Sequence, residues 1–400
     1  MKIVVAPDSF KGSLTAQQAA DAIEIGIRRV LPQANIVTVP MADGGEGTVQ
    51  SLVDATGGYL VTAEVVNPLG KMCRAQYGFL GNTSLNDKSV HDDTTHEENS
   101  LGDCTAVIEM AQASGIQFVN ELTMNPLTAT TYGTGQLIKD ALDRGATKII
   151  VGLGGSATND GGAGMAQALG VHLKDADGNE LDFGGAELAR LESIDCSQMD
   201  ERLKYVEIIL ASDVTNPLTG SRGASAVFGP QKGASDDMIM QLDAALMHYA
   251  KIIREQCGRD VENIPGSGAA GGLGAGFLAF TRASIKPGVS VMIEATHLKE
   301  KAVGADLCIT GEGGIDSQTQ YGKTPLGVAQ AVKDAAQQCT VIALAGKVGS
   351  GAEILYDMGI DAIFGIIPGV STMSEAIEQA SENVSRMAEN VVRLVHSSEF

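Results

Sequence analysis

Apolar and polar positions at the start of the chain alternate between two periods. Residues 2–6 form a short apolar run rich in β-branched side chains, which predicts a buried strand. Residues 15–31 switch to helical spacing, with Ala19, Ala22, Ile23, Ile27 and Val30 on one face and a capping box from Thr15 and Gln18. Residues 35–39 predict a second strand, and 46–55 a second helix closed by Gly57 and Gly58.

The pattern then changes. Tyr59–Val66 and Met72–Phe79 read as strands flanking Asn67-Pro68-Leu69-Gly70, a hairpin. Residues 82–103 are polar, acidic and nearly without apolar anchors, and an exposed loop is expected there. Further on, 147–152 and 206–211 are the clearest strands, 164–169 a short helix and 236–257 the clearest helix. After Pro287 the strand–helix alternation returns, with strands over 306–310, 340–345 and 361–367 and helices over 325–336 and 373–394. The runs 307–310 and 341–345 are continuously apolar, as expected where both faces of a parallel sheet are covered. The simplest architecture is α/β. Residues 1–62 with 287–400 form one parallel, doubly wound, Rossmann-like sheet, and 63–286 form a second α/β domain inserted in the middle of the chain. Ligand sites favour domain interfaces, so the active site is expected in the cleft between the two.

Composition narrows the class. The chain has 400 residues, long enough for two cores, and is 44% hydrophobic and 19% charged, which is far from a disordered composition. Its 49 acidic and 28 basic residues give a net charge of −21, a field that repels nucleic-acid phosphates and anionic membrane surfaces. No apolar run reaches the roughly 18 residues of a membrane span, and the opening MKIVVAPDSF is too short for a signal-peptide core. The 6 cysteines are scattered without a CxxC, so free thiols and a cytoplasmic location are expected. The 6 histidines are equally dispersed, and neither a histidine metal site nor a Ser–His–Asp triad is legible.

The candidate chemistry lies at the strand ends. In open α/β sheets, ligands bind beyond the carboxyl ends of the strands. The first strand leads to Asp8-Ser9-Phe10-Lys11-Gly12-Ser13, and the second to Asp43-Gly44-Gly45-Glu46-Gly47-Thr48. The strand over 147–152 leads to Gly154-Gly155-Ser156-Ala157-Thr158-Asn159-Asp160-Gly161-Gly162, and that over 206–211 to Asp213. The strand over 306–310 leads to Gly311-Glu312-Gly313-Gly314-Ile315-Asp316, and that over 340–345 to Gly346-Lys347. Gly beside Ser or Thr at a helix start frees backbone N–H groups to grip phosphate, which fits residues 154–162. Lone carboxylates near such loops suit magnesium, with Asp213 and Asp316 as candidates. Lys11 and Lys323 stand in Gly-flanked loops, suited to a transferring phosphoryl group. Each residue alone has a plainer reading: Asp43 or Asp213 as a cap, Lys11 as a solvated charge, Ser156 and Thr158 as N-caps. The recurrence over several strand ends carries the functional reading.

Two familiar fingerprints fail their context. Gly322-Lys323-Thr324 looks like the tail of a P-loop, but Ser317 stands where that motif needs Gly, and no strand precedes it. Gly266-Ser267-Gly268-Ala269-Ala270-Gly271 matches the dinucleotide pattern, yet it follows Asn263-Ile264-Pro265 rather than a convincing strand. The run 266–276 is expected instead to open a tightly packed helix.

Together, APDSFKGSLTA (6–16), ADGGEGT (42–48), GTGQLI (133–138), GLGGSATNDGGAGM (152–165), ASDVTNPL (211–218), FGPQKGAS (228–235), GAAGGLGAG (268–276) and ITGEGGIDSQTQYGKTPLGVA (309–329) resemble the motifs of the bacterial type-1 glycerate kinases. The resemblance spans essentially the whole chain. It implies a flavodoxin-like domain built from both ends of the chain with a middle domain inserted into it. It also implies ATP-dependent phosphorylation of D-glycerate, commonly at the 2-hydroxyl to give 2-phosphoglycerate, with the 3-hydroxyl left open. ATP and magnesium are the expected cofactors, and a homodimer is left open. On this reading Lys11, Asp43, Asp316 and Lys323 are expected to be catalytic. Ser9, Ser13, Glu46, Gly154, Gly155, Ser156, Thr158, Asn159, Asp160, Gly311, Glu312 and Gly313 are expected to hold substrate or phosphate, and Asp213 and Asp316 the metal. Lys11 and Lys323 would offset phosphoryl charge or hold the substrate carboxylate, while Asp43 or Asp316 takes the hydroxyl proton. Residues 82–103 are longer than the short turn expected in relatives. The rival readings are an NAD-dependent hydroxy-acid oxidoreductase, which needs a strand before Gly266, and a non-catalytic hydroxy-acid or nucleotide sensor.

Overall fold

The computed structural model describes residues 1–81 and 104–397, so the loop expected over 82–103 lies outside the described residues. The chain divides into two compact units, Met1–Thr56 with Pro287–Phe400, and Gly57–Lys286. The break expected after residue 62 falls after Thr56 instead. The reason is that Tyr59–Val66 pairs along its whole length with Met72–Phe79 and goes with the second unit.

In chain order the strands are β1 (Lys2–Pro7), β2 (Asn35–Thr38), β3 (Tyr59–Val66), β4 (Met72–Phe79), β5 (Thr105–Glu109), β6 (Lys148–Gly152), β7 (His172–Lys174), β8 (Ser193–Asp195), β9 (Glu207–Ala211), β10 (Ser284–Lys286), β11 (Leu307–Ile315), β12 (Thr340–Val348) and β13 (Ala362–Gly365). The first unit holds a sheet ordered β13-β12-β11-β1-β2, with every neighbouring pair parallel. With the inserted residues set aside, this is the flavodoxin order.

The central runs of β1, β11 and β12 are apolar because helices cover both faces. Ile3, Val5, Leu307, Ile309, Ile342 and Leu344 pack with Ala19, Ile23 and Ile27 of helix Ala16–Arg28 and with Val384, Ala388 and Val391 of helix Ala380–Ser397. Helix Thr324–Ala335 packs on β11. Helix Ala16–Arg28 starts at the expected capping box, with Thr15 and Gln18 each bonded to the other's backbone N–H. The helix expected over 373–394 is two, Met373–Glu378 and Ala380–Ser397. The glycines after residue 310 also differ from expectation. They continue β11 beside β12, with Gly311 paired to Leu344 and Gly314 to Lys347. A Cβ on Gly311 would meet the Leu344 carbonyl, so these glycines permit close strand pairing rather than a loop.

The second unit carries a sheet ordered β10-β9-β6-β5-β4-β3 and a separate two-stranded antiparallel sheet of β7 and β8. β5, β6, β9 and β10 run parallel, and β4 is antiparallel to both of its neighbours. The β3–β4 turn is held by Asn67, whose Oδ1 accepts the N–H groups of Leu69 and Lys71, each at 3.0 Å. Helix Asp236–Ile252 ends in a π-helical turn, Ile253–Cys257. No strand occupies 258–265, so the run from Gly266 fails the requirement of a dinucleotide fold. In helix Ala269–Phe280, Ala270, Gly271 and Gly272 have positive φ and form a left-handed turn before the regular helix. Among the described residues, no helix is long and apolar enough to cross a membrane.

Candidate active site

The strand order of the first unit reverses between β1 and β11, and doubly wound sheets bind ligands beyond the strand ends at such a point. Asp8 is the first residue past β1, and its N–H donates to the Gly311 carbonyl at 2.8 Å. Its buried carboxylate accepts the Ser9 N–H and the Thr324 hydroxyl, each at 2.6 Å. Burial raises the pKa of Asp8; the Thr324 bond opposes the rise and the charge of Asp43 adds to it. Thr324 opens helix Thr324–Ala335, directly after Lys323 at its N-cap. The Asp8–Thr324 bond therefore ties the end of β1 to the start of that helix.

Lys11 Nζ lies 3.2 Å from Asp43 Oδ2, and Asp43 Oδ1 accepts the Gly45 N–H at 2.9 Å. Burial pulls the Lys11 ammonium down, but Asp43, Asp8 and Glu312 outweigh it and raise the pKa, so Lys11 is charged at neutral pH. Glu312 projects from the extended end of β11, with its side chain 14% exposed and Oε1 3.6 Å from Lys323 Nζ. Burial pushes the Glu312 carboxyl up to about 7; Lys323 and Lys11 oppose the shift, and Asp8 and Asp43 add to it. A carboxyl titrating there is matched to proton transfer at neutral pH. Beside the cluster, a cavity of about 360 Å³ is lined by Asp8, Ser9, Lys11, Ser13 and Glu46 among others, a volume suited to a small molecule.

The other expected residues divide. Asp316 caps the short 3-10 helix Ser317–Tyr321, accepting the Gln318 N–H at 2.8 Å, so its carboxylate has a structural task. Gly313 faces the backbone of Phe10 and Lys11 at ordinary contact distance, whereas Gly311 serves close strand packing. In the second unit, Gly154 and Gly155 are exposed and Ser156 is half-buried. Thr158, Asn159 and Asp160 have no exposed surface, which corrects their expected place in a phosphate-binding loop. Asp160 accepts from the Thr131 N–H and hydroxyl at 2.8 Å, from Gly162 at 3.1 Å and from Gly164 at 3.2 Å. Burial raises its pKa against these bonds. A charge-bearing group with so many internal donors is a fixed part of the interior. Asp213 is exposed just beyond β9. Among the described residues, no group of three or more His, Cys, Asp or Glu is arranged to hold a metal ion. Sequence reasoning passed over Asp8 and Thr324. The available signals were the position of Asp8 directly before Ser9 at a strand end and the Gly-Lys-Thr triplet.

Opposed charges gathered at a flavodoxin-type switch point define a small-molecule site on a doubly wound α/β fold. Comparison with known proteins narrows the class. The model of the glycerate kinase family matches residues 3–396. The chain is 50% identical over 389 residues to a glycerate kinase of Halalkalibacterium halodurans, covering 97% of each. It is 47% identical over 391 residues to the glycerate 2-kinase of Escherichia coli, covering 98% of this chain and 97% of that one. A crystal structure from Salmonella typhimurium LT2 that bears the name glycerate kinase 2 superposes with a TM-score of 0.87 at 47% identity, covering 100% of this chain and 99% of the other. The chain belongs to the glycerate kinase family, and the oxidoreductase and sensor readings are set aside.

Proposed function

We propose that this protein transfers the γ-phosphoryl group of ATP to the 2-hydroxyl of D-glycerate, giving 2-phosphoglycerate and ADP. Family membership and the name of the Escherichia coli relative support the reaction and its position. The observation that carries it is Glu312, a largely enclosed carboxyl beside Lys323 at the switch point, titrating at about 7.

Glu312 takes the proton of the attacking hydroxyl as the new O–P bond forms. It replaces Asp43 and Asp316 in that role, because Asp43 is paired with Lys11 and Asp316 caps a helix. Lys11, held by Asp43, offsets charge on the moving phosphoryl group, and Lys323 holds the substrate carboxylate. Ser9, Ser13 and Glu46, which line the cavity, bind the hydroxy acid. Asp8 orients the Thr324 hydroxyl and the start of its helix. Gly154, Gly155 and Ser156 are assigned to the nucleotide phosphates. Asp213 is assigned to magnesium, which when bound would neutralise charge on the β- and γ-phosphates. A single exposed carboxylate just past β9 suits magnesium, which takes one or two carboxylates and completes its shell with phosphate and water oxygens. The scattered free thiols support a cytoplasmic setting.

Incubation with ATP, magnesium and D-glycerate, followed by phosphorus NMR, tests the reading. A phosphomonoester coupled to the single C2 proton is expected. Coupling to the two C3 protons would overturn the position, and no ester at all would overturn the reaction.

A further inference from the structure

Lys232 belongs to a motif in the sequence that the machinery above leaves unused. It closes the short 3-10 turn Pro230–Lys232, and only 1% of it is exposed. Burying an ammonium is costly, so what the group holds in place is informative. Nζ donates to the backbone carbonyl of Thr158 at 2.6 Å. Burial pulls the ammonium down to about 7, while the charge of Asp160 opposes the shift. The same carbonyl is enclosed on another side by Gly271, at φ +70°, where any Cβ would run into it. The next residue, Asn159, donates from Nδ2 to Ser225 Oγ at 2.9 Å. Thr158 Oγ1 and Asn159 Oδ1 are buried without a protein hydrogen-bond partner, so at Thr158 itself the Lys232 bond to the carbonyl carries much of the anchoring.

Just upstream, the exposed turn is entered through Leu153, whose N–H donates to the Ala211 carbonyl at 3.3 Å. The Ile116 N–H donates to the Gly155 carbonyl at 2.8 Å, and the Ala157 N–H donates to the Ser114 carbonyl at 3.0 Å. Residues 114–116 thus hold one side of the turn, and the carbonyl gripped by Lys232 is the next fixed point along the chain.

We propose that Lys232 is a positioning residue: by anchoring the Thr158 carbonyl it fixes the exposed Gly154-Gly155-Ser156 turn in the conformation that receives the nucleotide phosphates. This rests on the assignment of that turn under the proposed function. Two variants of the full chain test it. Lys232→Met keeps the bulk and removes the donor, and Lys232→Gln restores an N–H donor without the charge. The readouts are amide hydrogen exchange over residues 154–158 in the ligand-free protein and the separate KM values for ATP and D-glycerate. Lys232→Met is expected to speed exchange over 154–158 and to raise the ATP KM on the order of tenfold, with the glycerate KM unchanged. Lys232→Gln is expected to recover part of both effects. Unchanged exchange over 154–158 overturns the proposal, whatever happens to the melting temperature. So does failure of both variants to fold, which would assign Lys232 to folding alone. If the wild-type protein does not phosphorylate D-glycerate, the proposed reaction fails, and the exchange measurement still decides whether Lys232 fixes the turn.

Discussion

At the residue scale, Glu312 sits between stability and chemistry. Its folded pKa is raised to about 7 from the usual 4.5 chiefly by burial, so the native state binds its proton more tightly than the unfolded chain does. Stability from this group is therefore fully present below the unfolded pKa and is lost as pH rises through about 7. Glu312→Gln removes the ionised form. The variant is expected to melt at a higher temperature than wild type at pH 8, and at nearly the same temperature at pH 4. A thermal series over pH checks this, and a difference that does not vary with pH would remove burial of the charge as the cause. Lys11, Asp43 and Lys323 stood out in the sequence only through the recurrence of charged, glycine-flanked strand ends, since each alone has a plainer structural reading. The division of labour did not stand out. Whether Glu312 or Asp43 is enclosed or paired depends on neighbours the fold brings in, such as Lys11 for Asp43, while Asp316 caps the turn beside it through Gln318. The same blindness placed Thr158, Asn159 and Asp160 in a binding loop, since nothing local reveals that Thr131 meets Asp160 in the interior.

At the element scale, glycine means different things in different partners' company. Gly26 lies inside helix Ala16–Arg28, where alanine would ordinarily raise helix stability by about 1 kcal/mol. Here a Cβ would meet the Ser385 carbonyl of helix Ala380–Ser397, and overpacking of this kind typically costs about 1–3 kcal/mol. The clash outweighs the propensity, so Gly26→Ala is expected to destabilise the protein by roughly 1 kcal/mol, net of those two effects. Urea unfolding measures it, and a stabilised variant would mean the two helices separate at little cost. Helix Ala16–Arg28 itself was readable from its apolar face and the Thr15–Gln18 box, both local features. The extension of β11 through Gly311–Ile315 was hidden. Its glycines are selected by the carbonyl of Leu344 on β12, which the local sequence cannot disclose.

At the scale of the whole molecule, the return to strand–helix alternation after Pro287 was visible because β11 and β12 are too apolar to lie outside a covered sheet. The earlier break was read a few residues late, because β3 resembles the strands before it and only its pairing with β4 assigns it to the second unit. The net charge of −21 opposes the approach of an anionic acid and a nucleotide, so on the proposed function the few local cations at the switch point, Lys11 and Lys323, take a disproportionate part in drawing them in. That cluster is the core of the account, and steady-state kinetics of Glu312→Gln with saturating ATP and magnesium test it most directly. A fall in kcat on the order of 10²–10⁴, with the glycerate KM little changed, is the predicted result for a lost general base. A variant turning over D-glycerate at close to the wild-type rate would contradict it.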